Sequence, residues 1–167
     1  MLYLRLSDII GKEEGVRMKK ITNILDYIAE IKEIEKNSGC ISRQVGCLIL
    51  SKDLKRLSLG YNRAPNRSFS CKCLGKCTRK ELHPNCHSGE YLDDCRAVHA
   101  EENAILNLRK NITKEYYMIV SAVPCDRCAK LICNTNIRVI IALEDYNNIK
   151  SKAIFDENGI ELIILNK

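Results

Sequence analysis

The chain has 167 residues, 46% of them apolar and 29% charged, enough for one domain with a core of its own. Its longest apolar runs, such as Val139–Leu143 and Leu162–Leu165, are too short to cross a bilayer, and no small-residue cleavage site follows an apolar N-terminal core, so neither a membrane span nor a signal peptide is expected. The net charge of +6 suits a solvated Lys-rich surface or a phosphorylated ligand; with no block of like charge and 5% aromatic residues, a nucleic-acid groove is not expected.

Residues 1–17 read as an N-terminal extension broken by GKEEG, and residues 18–167 as a single domain. From Ile21 to about Lys36 the apolar positions Ile21, Ile24, Leu25, Ile28, Ile31 and Ile34 recur at three and four, the period of an amphipathic helix. Gly39 can supply its left-handed cap. VGCLIL (45–50) and RLSLGYN (56–62) flank the turn SKDLK and predict a hairpin. Residues 63–95 carry neither period, and Pro65, Gly75, Pro84 and Gly89 punctuate them. A loop of that length inside a domain is either functional or pinned by something other than a hydrophobic core. Ala97–Leu108 predicts a helix with Val98, Ile105 and Leu108 on its apolar face. YYMIVS (116–121) predicts a strand, and residues 125–136, opened by Pro124, a helix. IRVIIAL (137–143) is a further strand, Asn148–Asn158 a helix and IELIIL (160–165) the last strand. This order predicts an α/β fold, a three-layer α/β/α sandwich around a mixed five-stranded sheet.

Ten cysteines are many for this length. Without an export signal they are expected in a reducing compartment, the cytoplasm, where Cys pairs with His nearby more often mean metal than disulfide. Two short motifs each open a predicted helix: His99-Ala100-Glu101 and Pro124-Cys125-Asp126-Arg127-Cys128. A lone His-x-Glu is commonly just a helix start, and a lone Cys-x-x-Cys can be a redox pair or half of a structural zinc site. Together they point further. Two sulfurs on one helical turn can share an ion, and the exposed backbone N–H groups and dipole there favour thiolates. One His and two Cys make a three-ligand tetrahedral zinc site with one open position, the catalytic arrangement. Glu101, two residues after His99, cannot easily reach the same ion but can lean over the open position and carry protons as a general acid/base.

The chain resembles the cytidine and deoxycytidylate deaminase family, and within it the deoxycytidylate members. His-x-Glu with Pro-Cys-x-x-Cys is the zinc deaminase signature. The resemblance extends from about Leu25 to the C-terminus. It includes CISRQVGCLIL before the first strand, the turn GYNRAP, the segment SGEYLDDCRAVHAEENAI, and PCDRCAKLICNTNIRVII. It implies the cytidine deaminase-like fold, zinc on His99, Cys125 and Cys128, and Glu101 as the proton carrier. Asn62 would bond the sugar side of the substrate and the Ala100 backbone would help hold the pyrimidine. The implied reaction is hydrolytic deamination of dCMP to dUMP and ammonia, by a homo-oligomer such as a hexamer. Regulated members respond to dCTP and dTTP at the Gly-Tyr-Asn-Gly turn, where this chain has Arg63.

The resemblance also implies a second, structural zinc near the Cys-rich loop, with Cys40, Cys71, Cys77 and Cys95 as ligand candidates. Cys73, Cys86 and His87 are possible substitutes, His83 lies nearby, and Cys47 and Cys133 sit in apolar runs and read as core. Arg63, Arg67, Arg96 and Arg127 are candidates to hold a 5′-phosphate. Competing readings are a deaminase of dCTP, of (deoxy)cytidine or of a base in nucleic acid, and a zinc-stabilised binding protein without catalysis. The Gly-Tyr-Asn turn and the Cys-rich loop fit tRNA adenosine deaminases less well.

Overall fold

The structure, a computed structural model, describes residues 26–87, 89–108, 115–146 and 148–166. The extension 1–17 and the first positions of the predicted leading helix, Ile21, Ile24 and Leu25, lie outside them. Helix α1 runs over 26–35 and ends in a turn, and Gly39 beyond it is not left-handed, so the cap expected of it is not made. Strands β1 (Gly46–Ser51) and β2 (Arg56–Tyr61) form the hairpin. Next come α2 (Cys71–Leu74), α3 (Thr78–Leu82) and a single 3-10 turn (Leu92–Asp94). Helix α4 (Ala100–Leu106), β3 (Tyr116–Ala122), α5 (Asp126–Cys133), β4 (Ile137–Glu144), α6 (Ile149–Glu157) and β5 (Glu161–Asn166) complete the chain.

The five strands lie in the order β2-β1-β3-β4-β5. The pairs β1–β2 and β1–β3 are antiparallel, while β3–β4 and β4–β5 are parallel. The sheet is therefore mixed, because a hairpin opens it and helical crossovers extend it. Side chains alternate across the sheet with the strand period of two. Leu48, Leu50, Ile119, Ile141 and Leu143 meet Ile31 and Ile34 of α1 on one face. Cys47, Ile49, Met118, Val120, Ile140 and Ala142 meet Ala100 and Ala104 of α4, Ala129 and Ile132 of α5 and Phe155 of α6 on the other. Both faces are covered, which is why β1, β3 and β4 read as nearly continuous apolar runs.

Two further sequence expectations need correction. The segment 63–95 is not free of helix: α2, α3 and the 3-10 turn lie within it. Each is too short to show a period; Leu92 packs on the core, and polar contacts hold much of the rest. Ser70 caps α2 by accepting from the Cys73 N–H at 3.2 Å, and Gly75 closes it at φ 67°. Arg79 donates to the Glu90 carbonyl at 2.7 Å, His83 Nε2 lies 2.7 Å from Asp94, and the His83 ring stacks on Tyr91 at 3.8 Å. The second correction is α4. It begins at Ala100 rather than Ala97, because Val98 is bridged to Arg63 in extended form. Its fully buried residues are Ala100, Glu101, Glu102, Asn103 and Ala104; Ile105 and Leu108 of the expected apolar face pack half-buried against the same core, and Val98 lies before the helix.

Candidate active site

The second face of α4 is polar and buried, so its hydrogen bonds must be accounted for. Three side chains sew it to β2. Ser58 Oγ donates to the Ala104 carbonyl at 2.8 Å, Asn103 Nδ2 to the Tyr61 carbonyl at 2.9 Å, and Asn107 Nδ2 to the Leu59 carbonyl at 2.9 Å. Gly60 lies between these contacts with no room for a side chain against the α4 backbone. At the helix start, Glu102 Oε2 accepts from the His99 N–H at 2.8 Å, the N3 carboxylate of a capping box. Its Oε1 lies 2.9 Å from Arg127 Nη2 on α5. One carboxylate thus ties the His99 motif to the Cys125–Cys128 motif.

Strand β3 delivers the chain through Val123 and Pro124 to Cys125, which precedes α5. His99 Nδ1 then stands 3.5 Å from Cys125 Sγ and 3.4 Å from Cys128 Sγ. These three ligand atoms lie within 4.8 Å of one another, a grouping that can hold a metal ion. Tetrahedral zinc with bonds of about 2.3 Å to sulfur and about 2.0 Å to nitrogen places N and S about 3.5 Å apart, so the donor set fits that ion. The protonation of the trio also suits a cation. A hydrogen bond from Cys128, opposed by burial and helped by His99, pulls Cys125 down to about 4. Cys128 is pushed up, by the same hydrogen bond and by burial. Burial pulls His99 down, but the Cys125 hydrogen bond and the Glu101 charge outweigh it and raise His99 to about 9.

Glu101 is only 4% exposed. Burial raises its carboxyl to about 7, against the lowering pull of His99. A buried carboxyl poised near neutral pH can both take and give a proton. Cys47 lies in the core below, and burial, with the Glu101 charge second, keeps its thiol protonated.

A cavity of about 460 Å³ opens over this group, in the range of small-molecule sites. His99, Ala100, Glu101 and Cys125 line it, as does Asn62. Asn62 is 8% exposed and largely committed. Its Oδ1 accepts from Ser38 Oγ at 2.7 Å and from the Val45 N–H at 2.9 Å, and its Nδ2 donates to the Arg43 carbonyl at 2.8 Å. That leaves one N–H of the Asn62 amide for a ligand.

None of the four arginines singled out from the sequence lines the cavity. Arg63 is turned to Asn66 and bridged to Val98. Arg67 and Arg96 are exposed. Arg127 is paired with Glu102 and reaches Asp93 at 4.0 Å. The cations that do line the cavity are Arg43, Arg79 and Lys80, which the sequence reading passed over. Arg79 stands two residues beyond Cys77, and that position in the Cys-rich loop was its one visible signal. Glu102 was passed over as well, and its one signal was its place three residues after His99, a capping position.

Of the structural zinc candidates, Cys40, Cys71 and Cys77 are buried and Cys95 is half-buried. Burial raises the Cys71 and Cys95 thiols, and the four sulfurs lie near enough to act on one another electrostatically. Among the described residues they do not draw together as closely as His99, Cys125 and Cys128 do. Cys73 and His87 are exposed, and Cys86 and His83 half-buried.

Residues 22–144 match the family model for the cytidine and deoxycytidylate deaminase zinc-binding region. A deoxycytidylate deaminase of Schizosaccharomyces pombe is 30% identical over 139 residues, covering 81% of this chain and 42% of that protein. One of Pongo abelii is 32% identical over 122 residues, covering 70% and 65%. A probable deoxycytidylate deaminase of Drosophila melanogaster is 31% identical over 167 residues, covering 93% and 79%. The chain thus spans less than two thirds of the length of the first two of these relatives. The crystal structure of cyanophage S-TIM5 dCMP deaminase in complex with dCMP and dUMP superposes with a TM-score of 0.62 at 20% identity, over 85% of this chain and 96% of that one, a likeness of fold. The match of residues 22–144, well over half of the sequence, to the family model places the chain in the cytidine and deoxycytidylate deaminase family, and the His99, Cys125 and Cys128 cluster lies within the matched span.

Proposed function

We propose that residues 18–167 work as one domain that deaminates dCMP to dUMP and ammonia, with zinc held by His99, Cys125 and Cys128. The observation that carries the reading is the placement of Glu101, a buried carboxyl with a pKa near 7, beside a three-ligand site that leaves one position open. A site built only for stability would use a fourth protein ligand and has no need of a proton carrier. When bound, zinc supplies a water that ionises near neutral pH. Glu101 would take that proton and hand it to the ring nitrogen, and would then carry a second proton, from the hydroxyl added at the ring carbon, to the departing amino group, which leaves as ammonia. Asn62, fixed by Ser38, Val45 and Arg43, offers its remaining N–H to the sugar, and the Ala100 backbone packs at the edge of the base. The identity to deoxycytidylate deaminases rather than to other deaminases supports dCMP over the nucleoside.

The reading includes a structural zinc on Cys40, Cys71, Cys77 and Cys95, supported by the burial of the first three and by the electrostatic proximity of all four sulfurs. It also includes assembly of several copies, supported by the exposed Leu106 and Leu131 on α4 and α5. The ten unpaired cysteines suit the reducing cytoplasm. Control by dCTP or dTTP is not part of the proposal, since Arg63 is tied to Asn66 and Val98. The test is ammonia release from dCMP, dCTP, deoxycytidine and a cytosine-containing single strand, with zinc counted on the same sample. Turnover of dCMP with two zinc per chain is expected. In Glu101→Gln, zinc should stay and turnover vanish; loss of the metal instead would remove the role assigned to Glu101.

A further inference from the structure

The cavity that holds the candidate zinc site also holds three cations in different circumstances. Arg43 is already matched: its Nη2 lies 3.2 Å from the Glu144 carboxylate, and its guanidinium rests 4.9 Å over the Tyr146 ring. Lys80 is exposed at the cavity wall. Arg79 is the exception. It is only 7% exposed, yet the partner it has is the backbone carbonyl of Glu90, and no carboxylate pairs with it among the described residues. A guanidinium stays charged at any working pH. A charge buried without a counter-ion is strongly disfavoured, and Arg is almost never this buried unless paired. The fold tolerates such a group where a ligand completes it. The planar fork of N–H donors matches the paired oxygens of a phosphate.

We infer that Arg79, with Lys80 beside it, anchors the phosphomonoester of the nucleotide in this cavity. The inference rests on the deaminase reading and adds the group that separates a nucleotide from a nucleoside. It also gives the Cys-rich loop a task. Cys77 opens α3, and α3 turns Arg79 and Lys80 towards the cavity that β3, α4 and α5 build from the other side. The competing counter-ion is the sulfur group of Cys77 and Cys95, which share the cavity wall. Arg79 acting only on those sulfurs would hold the loop in place and affect every ligand alike.

The experiment compares the binding of dUMP and of deoxyuridine to the zinc-loaded protein by calorimetry, so that no turnover is needed. The native chain is expected to bind dUMP more tightly. Arg79→Gln should lower dUMP affinity about 10- to 100-fold while leaving deoxyuridine affinity unchanged, the size expected for charge-assisted hydrogen bonds. Lys80→Gln should give a smaller loss of the same selectivity. Equal weakening of both ligands, or an unchanged ratio, overturns the anchor. Should Arg79→Gln fail to fold, Arg79→Lys keeps the buried charge without the fork and carries the test. The dUMP-to-deoxyuridine ratio should then drop about 10-fold, and a native ratio overturns the inference. Equal binding of the two by the native chain overturns the anchor and leaves deamination standing. Failure to bind either, together with no ammonia release from dCMP, removes the deaminase reading and the anchor with it.

Discussion

Gly60→Ala should damage the active site from a position that touches neither metal nor substrate. Gly60 sits in β2 under α4. A Cβ there would lie 2.9 Å from the Asn103 carbonyl carbon and closer still to the Ala100 oxygen and the Ala104 nitrogen, all of them backbone atoms. Backbone cannot rotate away as a side chain would, so α4 must retreat by about 1 Å to restore ordinary contact at 3.4 Å or more. That retreat strains the three bonds that sew α4 to β2, from Ser58, Asn103 and Asn107. Overpacking of this kind costs about 1–3 kcal/mol of stability. The same helix carries His99 at its cap and Glu101 in its first turn. A 1 Å displacement of a reacting group can lower a rate by about 100-fold. Denaturant unfolding of the zinc-loaded protein, with kcat/KM for dCMP on the same preparation, reads both effects. Native stability and native kcat/KM in Gly60→Ala would refute the close approach and with it the argument that β2 positions the site.

The remaining predictions concern protons and the link between the two motifs. Glu101 must be ionised to take a proton, so kcat/KM should fall as pH drops through its pKa, about 7 in the metal-free site and lower with a dication beside it; a rate that rises on acidification would refute this. At pH 7.5 the metal-free trio holds one proton on His99 and one on Cys128, while Cys125 is already a thiolate. Zinc binding should therefore release about two protons, read by calorimetry in buffers of different ionisation enthalpy; a release near zero contradicts the assignment. Glu102→Leu removes both the bond to the His99 N–H and the ion pair to Arg127, and should weaken zinc about 10-fold in chelator competition. Glu102→Gln keeps the cap and should lose less; native affinity in the Leu variant would show that the link is idle.

The layers were legible because the core elements each follow a single period. The three- and four-residue spacing of Ile28, Ile31 and Ile34 makes a stripe for one sheet face, and the runs around β1, β3 and β4 are apolar on both sides because both sides are covered. The grouping of His99, Cys125 and Cys128 was legible because each motif is local and lies within one turn of a helix start. Helix α4 was legible in its apolar residues but not in its buried polar ones. Its packed face holds Glu101, Glu102 and Asn103, and a pattern of apolar residues cannot reveal a face buried through hydrogen bonds. The buried cation of the cavity wall was illegible because Arg79 lies in a five-residue helix with no period, while Arg127, conspicuous between two cysteines, is paired with Glu102.

The metal-free site works against its own fold, and the direction of each pKa shows how. Burial holds the Glu101 carboxyl above its usual range, so the folded chain favours its neutral form. That contribution to stability is present below about 4.5 and is lost as pH rises through about 7, because above it the folded state keeps a charge in an apolar setting. The imidazole of His99 is held charged up to about 9 by Cys125 and the two glutamates, so a cation is already demanded at this point of the structure. A dication on His99, Cys125 and Cys128 answers that demand with more charge and frees Glu101 to ionise. Removal of zinc by a chelator should therefore destabilise the protein more at pH 8 than at pH 5, by the measure of denaturant midpoints. In Glu101→Gln, which has no charge to bury, the extra loss at pH 8 should shrink; an undiminished pH dependence would place its source elsewhere than in Glu101.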